Sequence, residues 1–232
     1  MKHSGKAIKA ALKLILLTLI AVIAIWIVGA FLMTAAALIA AVAVAIFPIL
    51  LAVWFVFALF TFYFFRDPTA QVPPGANLVV SPGHGKIDAI GTTAEPVFMG
   101  GECQRISMFL SVFDVHIQNA PVGGRVALLK YTPGQFLNAL KADSAVHNEN
   151  VLMGFEASEP AVQKVGIRLI AGVIARRIVP FAEEGDVVAR GERISLIQFG
   201  SRVDVYLPAS AKIKVKLGDR SVGGETVLAS FE

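Results

Sequence analysis

Residues 195–208 read SLIQFGSRVDVYLP. Apolar residues alternate with polar ones after the interruption: Val203, Val205 and Leu207 share one side of an extended segment. Gly200-Ser201 breaks this run. A glycine inside a strand weakens pairing and leaves a gap in the packing. A β-bulge is the ordinary explanation. The alternative is a backbone that is strained on purpose and open to attack by the neighbouring hydroxyl. The rest of the chain decides between them.

Upstream, the composition is dominated by one region. The chain of 232 residues is 56% hydrophobic, with a mean hydropathy of +0.68. Between Lys13 and Arg66 there is no charged residue. That run far exceeds the ~20 residues that one membrane helix needs. It predicts a transmembrane helical hairpin, with spans near 12–32 and 36–64 and a kink at Pro48. A signal peptide would have a much shorter apolar core. Lys2, Lys6, Lys9 and Lys13 precede the run without any acid. Positive flanks stay cytoplasmic, so two spans return Arg66 to the cytoplasmic face of an inner membrane. Without those four lysines, the 21 Lys+Arg fall to 17, which matches the 17 Asp+Glu downstream. The pI near 9.3 therefore reflects a membrane-orienting tail. No basic cluster or RNA-binding signature points to nucleic acid. A single cysteine, Cys103, rules out an intrachain disulfide and reads as a small buried hydrophobe.

The organisation after Arg66 is different. Residues 67–76, DPTAQVPPGA, form a stiff Pro-rich linker between the anchor (1–66) and a domain at 77–232. In that domain short runs rich in Val, Ile and Phe alternate with Gly, Pro and Asp, which predicts a mainly β fold. One or two short helical turns are expected around PGQFLNALKAD, where Pro133 suits a first turn. EGDVVARGERI (184–194) and LGDRSVGGETV (217–227) repeat the pattern G-D-x-x-x-x-G-E. They read as hairpin corners of a flattened β-sandwich of the lipoyl/biotinyl type. Carriers of that type present a modifiable lysine at a hairpin tip, and neither repeat has one.

A serine hydroxyl beside an accessible glycine carbonyl can convert the amide to an ester, which then leaves by β-elimination. The chain breaks and the former serine becomes a pyruvoyl group. QFGSRVDVYLP closely resembles the processing segment of the phosphatidylserine decarboxylase family in its short prokaryotic form. FFRDP (64–68), VVSPGHGKI, FLSVFDVHIQNAPVGGRV (109–126), YTPGQFLNA, HNEN and IAGVIARRIV resemble further family segments, in order along the domain. The resemblance implies a proenzyme that cuts itself between Gly200 and Ser201. It would give a membrane-bound β chain (1–200) and an α chain (201–232) that stay associated, in an assembly open to homo-oligomerisation. It implies a covalent pyruvoyl cofactor derived from Ser201. This group would form a Schiff base with phosphatidylserine and accept electrons as CO2 departs, yielding phosphatidylethanolamine.

By the same resemblance His116 is the acid that reprotonates the substrate. Asp114, two residues earlier, would share its strand face and is the candidate to orient it. Two positions depart from the family pattern. Gly83-His84-Gly85 stands where the family has Ala-Asp-Gly, and Asn119 stands where its long members have a second histidine. His84 is the candidate base for processing, with Asp88 as an alternative. A membrane-anchored, non-catalytic β-sandwich adaptor is the competing reading. Arg105, Arg125, Arg176 and Arg177 suit a phosphate but equally suit solvated strand ends, so none is assigned. No metal-ligand cluster, phosphate-binding loop or Ser-His-Asp hydrolase motif occurs in the sequence.

Overall fold

The computed structural model describes residues 6–137, 147–158, 161–172, 177–198 and 200–231. It divides into two compact units, Met1–Phe60 and Thr61–Glu232. Helix α1, Lys6–Phe64, is one continuous element with Pro48 inside it. This replaces the expected hairpin. The anticipated return falls on Met33-Thr34-Ala35, which has no Gly, Pro, Asn or Asp to turn the chain and is flanked by the good helix formers Leu32 and Ala36. Thr34 turns its hydroxyl back onto the Phe31 carbonyl at 2.8 Å and so stays within the helix. From Ile15 the helix is long and apolar enough to cross a membrane. At ~1.5 Å per residue its whole length is about 88 Å, well beyond one hydrocarbon thickness.

The second unit is mainly β. Its strands are β1 (Leu78–Val80), β2 (Gly85–Glu95), β3 (Gly101–Leu110), β4 (Ile117–Asn119), β5 (Gly124–Thr132), β6 (Asn150–Ser158) and β7 (Ala161–Ala171). They continue as β8 (Arg177–Pro180), β9 (Val187–Val188), β10 (Arg193–Gln198), β11 (Ser201–Leu207), β12 (Lys212–Ile213), β13 (Arg220–Ser221) and β14 (Val227–Ser230). An eight-stranded sheet has the order β13-β2-β3-β11-β7-β6-β5-β9, and two three-stranded sheets have the orders β1-β14-β12 and β4-β10-β8. Of the predicted short helix, Pro133–Leu137 is not helical, and the remainder lies outside the described residues.

The repeat seen in the sequence is real, but its turns are not hairpins. Gly185, Gly191, Gly218 and Gly224 all adopt positive φ, the turn conformation glycine supplies cheaply. The turns at Gly185 and Gly218 carry the chain from a small sheet to an edge of the large one, β8 to β9 and β12 to β13, and those at Gly191 and Gly224 carry it back, β9 to β10 and β13 to β14. The two edges are built alike. Gly185 N–H donates to Val126 O and Val126 N–H to Asp186 O; Gly218 N–H donates to Ile87 O and Ile87 N–H to Asp219 O. Val80 N–H donates to Pro121 O, and Asn119 N–H donates to Pro82 O. These reciprocal bonds relate Pro82–Ile87 to Pro121–Val126 as two halves of a quasi-two-fold.

The core lies on one face of the large sheet. Ile106, Met108 and Leu110 of β3, Ile167 and Leu169 of β7, and Val203, Val205 and Leu207 of β11 pack there with Val151, Met153 and Phe155 of β6. Alternation sends Arg202, Asp204 and Tyr206 to the opposite face, where Arg202 donates to both Asp88 oxygens at 2.7 and 2.8 Å.

Gly85 separates backbone from backbone: a Cβ there would lie 2.5 Å from the Phe109 carbonyl oxygen. Gly91, in the same strand, has nothing within 4 Å of the corresponding position. Gly85→Ala is therefore expected to lower the stability of the full chain in detergent by about 1–3 kcal/mol, whereas Gly91→Ala leaves it unchanged or slightly higher. Thermal denaturation of both variants checks this; equal melting would contradict the close approach.

Candidate functional site

The Gly200-Ser201 bond does not lie inside a strand. β10 ends at Gln198 and β11 begins at Ser201, so the bond sits where the chain crosses from a three-stranded sheet into the eight-stranded one. Gly200 has φ of 68°, in the left-handed region that costs a side-chain-bearing residue about 1–2 kcal/mol. Its successor is held on both sides: Ser201 pairs with Leu110 of β3 and Ala171 of β7. Ser201 is fully buried, and its Oγ has no hydrogen-bond partner. A buried hydroxyl without a partner costs free energy, so its retention asks for a chemical reason.

His116 faces this junction. Its Nε2 accepts the Gly200 N–H at 3.1 Å. Its Nδ1 lies 2.9 Å from the Asp114 carbonyl oxygen. One nitrogen accepts and the other must donate, which fixes the neutral Nδ1–H tautomer. The Phe64 ring lies 4.3 Å from the imidazole, centroid to centroid, and both residues are fully buried. Burial pushes the His116 pKa down to about 4, against the opposing pull of the Asp114 carbonyl and carboxylate. Asp114 thus touches His116 through its main chain. Its carboxylate accepts the Ser111 N–H at 2.9 Å and meets Arg220 at 3.0 Å.

His84 is partly buried and lies among Arg66, Asp114 and Glu225. Its pKa is lowered, first by burial and then by Arg66. A Cβ placed on Gly223 would lie 2.7 Å from Asn119 Oδ1 and 3.0 Å from the His84 ring, so this glycine brings the two departing positions together. Asn119 is itself committed, donating to Gly191 O at 2.8 Å. Asp88 is engaged by Arg202, on the face opposite Ser201. Cys103 is buried among Phe98, Leu152 and Tyr206, with its thiol pKa raised by burial. Among the described residues, no group of His, Cys, Asp and Glu could hold a metal.

Three contributors were not legible in the sequence. Phe64 reads as membrane-exit sequence, yet it covers the imidazole. Arg220 lies far along the chain but reaches the Asp114 carboxylate. Asn148, inside the HNEN stretch, donates to Ala171 O at 2.7 Å and braces the strand end beside Ser201. All three sit in segments whose pattern stood out, FFRDP, the second G-D-x-x-x-x-G-E repeat and HNEN, but nothing in those patterns marked these residues for the site.

The phosphatidylserine decarboxylase family model matches residues 57–229. Proteins named phosphatidylserine decarboxylase proenzyme are similar over most of the chain. The one from Desulfotalea psychrophila is 42% identical over 172 residues, which is 74% of this chain and 79% of the relative. The Zymomonas mobilis protein is 46% identical over 175 residues, 72% of this chain and 70% of the relative. That of Erythrobacter litoralis is 46% identical over 178 residues, 72% and 71% of the two chains. The chain belongs to the phosphatidylserine decarboxylase family.

A buried neutral His116 has a signed consequence. Its folded-state pKa of about 4 lies below the ordinary 6.5, so the unfolded chain binds the extra proton first. Its contribution is complete above pH ~6.5 and is lost as pH falls towards ~4, on the order of 3 kcal/mol in all. NMR of ring-labelled histidine in micelles should show His116 titrating near 4. In Phe64→Ala, which admits water to the ring, the midpoint should rise towards 6.5. An unchanged midpoint would show that Phe64 does not provide the burial.

Proposed function

We propose that the chain is a phosphatidylserine decarboxylase that matures by cutting its own Gly200-Ser201 bond. The observation that carries this is the junction itself: a buried, unpartnered Ser201 hydroxyl follows a left-handed glycine that a neutral histidine holds by its N–H. Ser201 Oγ attacks the Gly200 carbonyl carbon and the C–N bond breaks as the C–O ester forms, its nitrogen taking the hydroxyl proton. β-Elimination then leaves Gly200 as a carboxylate and a dehydroalanine at 201, whose imine tautomer is hydrolysed by water to the pyruvoyl group with release of ammonia. His84, with its lowered pKa, is neutral at neutral pH and available as a base for this step. The segment after the cut supplies β11 to β14, and β11 stays paired with β3 and β7. This supports a processed protein whose two chains remain together. The quasi-two-fold and the two sheet edges support the hybrid lipoyl/biotinyl-type architecture for the domain.

The residues at the junction fit a pyruvoyl group at position 201. The site is buried, and strand pairing on both sides fixes it. Such a group supplies a ketone that takes up the electron pair released with CO2. The protein's own part is positional and acid–base. Asp114 O fixes the His116 tautomer, Phe64 keeps water from the ring, and the cut leaves Gly200 as a chain end. Nε2 is then available to carry a proton to the substrate α-carbon. The apolar helix anchors this domain at the inner membrane; the cytoplasmic placement of the domain rested on two spans and does not follow from one continuous helix. Anchoring raises the effective concentration of the domain at its phospholipid substrate.

Carboxyl-labelled phosphatidylserine in mixed micelles tests the reading. The full chain should release labelled CO2. Ser201→Ala should remain one polypeptide and release none. His116→Ala should lose turnover by about 10²- to 10⁴-fold; retained turnover would remove His116 from the chemistry. Release by an uncut Ser201→Ala protein would refute the proposal.

A further inference from the structure

β3 ends at Leu110 and is followed by a tight turn that has two sides. The Asp114 N–H donates to Ser111 O at 2.9 Å, and the Asp114 carboxylate accepts the Ser111 N–H at 2.9 Å. Inward, Val112 lies against Gly200, with its Cγ1 3.6 Å from where a Cβ would stand, and the Asp114 carbonyl holds His116. Outward, Phe113 is 64% exposed. The tip is clasped at its carbonyl by Tyr63 Oη at 3.2 Å and by an Arg66 guanidinium nitrogen at 2.6 Å. Arg66 also lies 4.0 Å over the Tyr63 ring. Tyr63 and Phe65 are themselves exposed at 47% and 38%.

We infer that Phe113, Tyr63 and Phe65, with Arg66 and Arg220, form a docking surface that seats the turn beside the site on an anionic lipid bilayer. Chain continuity chooses this occupant. Tyr63 and Phe65 close the uncharged apolar run that begins after Lys13, so they emerge at membrane level, and the clasp holds Phe113 beside them. Aromatic rings flanked by cations are the composition of a membrane interface. Among the described residues no carboxylate is paired with Arg66, which leaves its charge for anionic headgroups. The turn that meets the lipid is the one that packs on Gly200 and orients His116. Docking therefore holds the turn that contacts Gly200 and His116 at the level of the headgroups. The inference rests on the membrane-anchor reading of α1 but not on decarboxylation.

The test uses the full chain in vesicles of equal parts phosphatidylcholine and phosphatidylglycerol, with bromine on the upper acyl chains. Trp26→Phe with Trp54→Phe removes the native tryptophans. Phe113→Trp then provides a single reporter at the tip, and Val97→Trp one in the turn between β2 and β3, past the far end of β3, which is about 30 Å long at ~3.3 Å per residue. A docked tip enters the headgroup–acyl boundary by ~5–10 Å, so bromine should cut the Phe113→Trp emission roughly twofold, with a blue shift in plain vesicles. The Val97→Trp emission should be unaffected. An unquenched Phe113→Trp reporter, while Trp26 alone (Trp54→Phe) is quenched, would overturn the docking surface and spare the anchor. If neither is quenched, both readings fail.

Discussion

The pairing of Ser201 between Leu110 and Ala171 is the constraint from which the site follows. Because β11 is an inner strand of the eight-stranded sheet, its first residue cannot shift without breaking pairing on two sides. The chain reaching it comes from another sheet, so the change of direction must be absorbed at Gly200, in a conformation that disfavours any side chain. His116 then completes the arrangement by accepting the Gly200 N–H, a role open only to a neutral imidazole in one tautomer. Burial under Phe64 keeps it neutral. Sheet topology, backbone conformation and protonation state thus support one another at a single peptide bond.

The quasi-two-fold gives the two halves equivalent turns with different side chains. Pro82–Ile87 and Pro121–Val126 make the same main-chain bonds to equivalent turns. His84 occupies the position that Gly123 occupies in the other half, and Gly223 there leaves room for the imidazole where the other turn has Arg190. A common backbone was thus given different side chains in its two halves.

The sequence was most informative where chemistry needs a particular residue type. Two residues that the motifs singled out, Gly200 and His116, share a hydrogen bond, and the G-D-x-x-x-x-G-E repeat marks equivalent turns. It was least informative where distant segments meet. Alternation of Val203, Val205 and Leu207 shows a strand but not its neighbours, so the crossing between sheets read as an interruption within one strand. The apolar run fixed composition but not chain direction. Length suggested a return at residues 33–35, whereas the local residues favour continued helix. Asp114 was read through its carboxylate, yet its carbonyl makes the contact, and main-chain roles leave no mark in residue identity. Phe64 looked like lipid-facing sequence because hydrophobicity does not distinguish a bilayer from a buried imidazole.

Intact-mass analysis of the purified full-length chain tests the central claim most directly. The account predicts two polypeptides, the smaller spanning 201–232, blocked at its N-terminus and lighter by one ammonia than a serine-started chain. A single unbroken polypeptide, in a preparation that releases CO2 from phosphatidylserine, would contradict it.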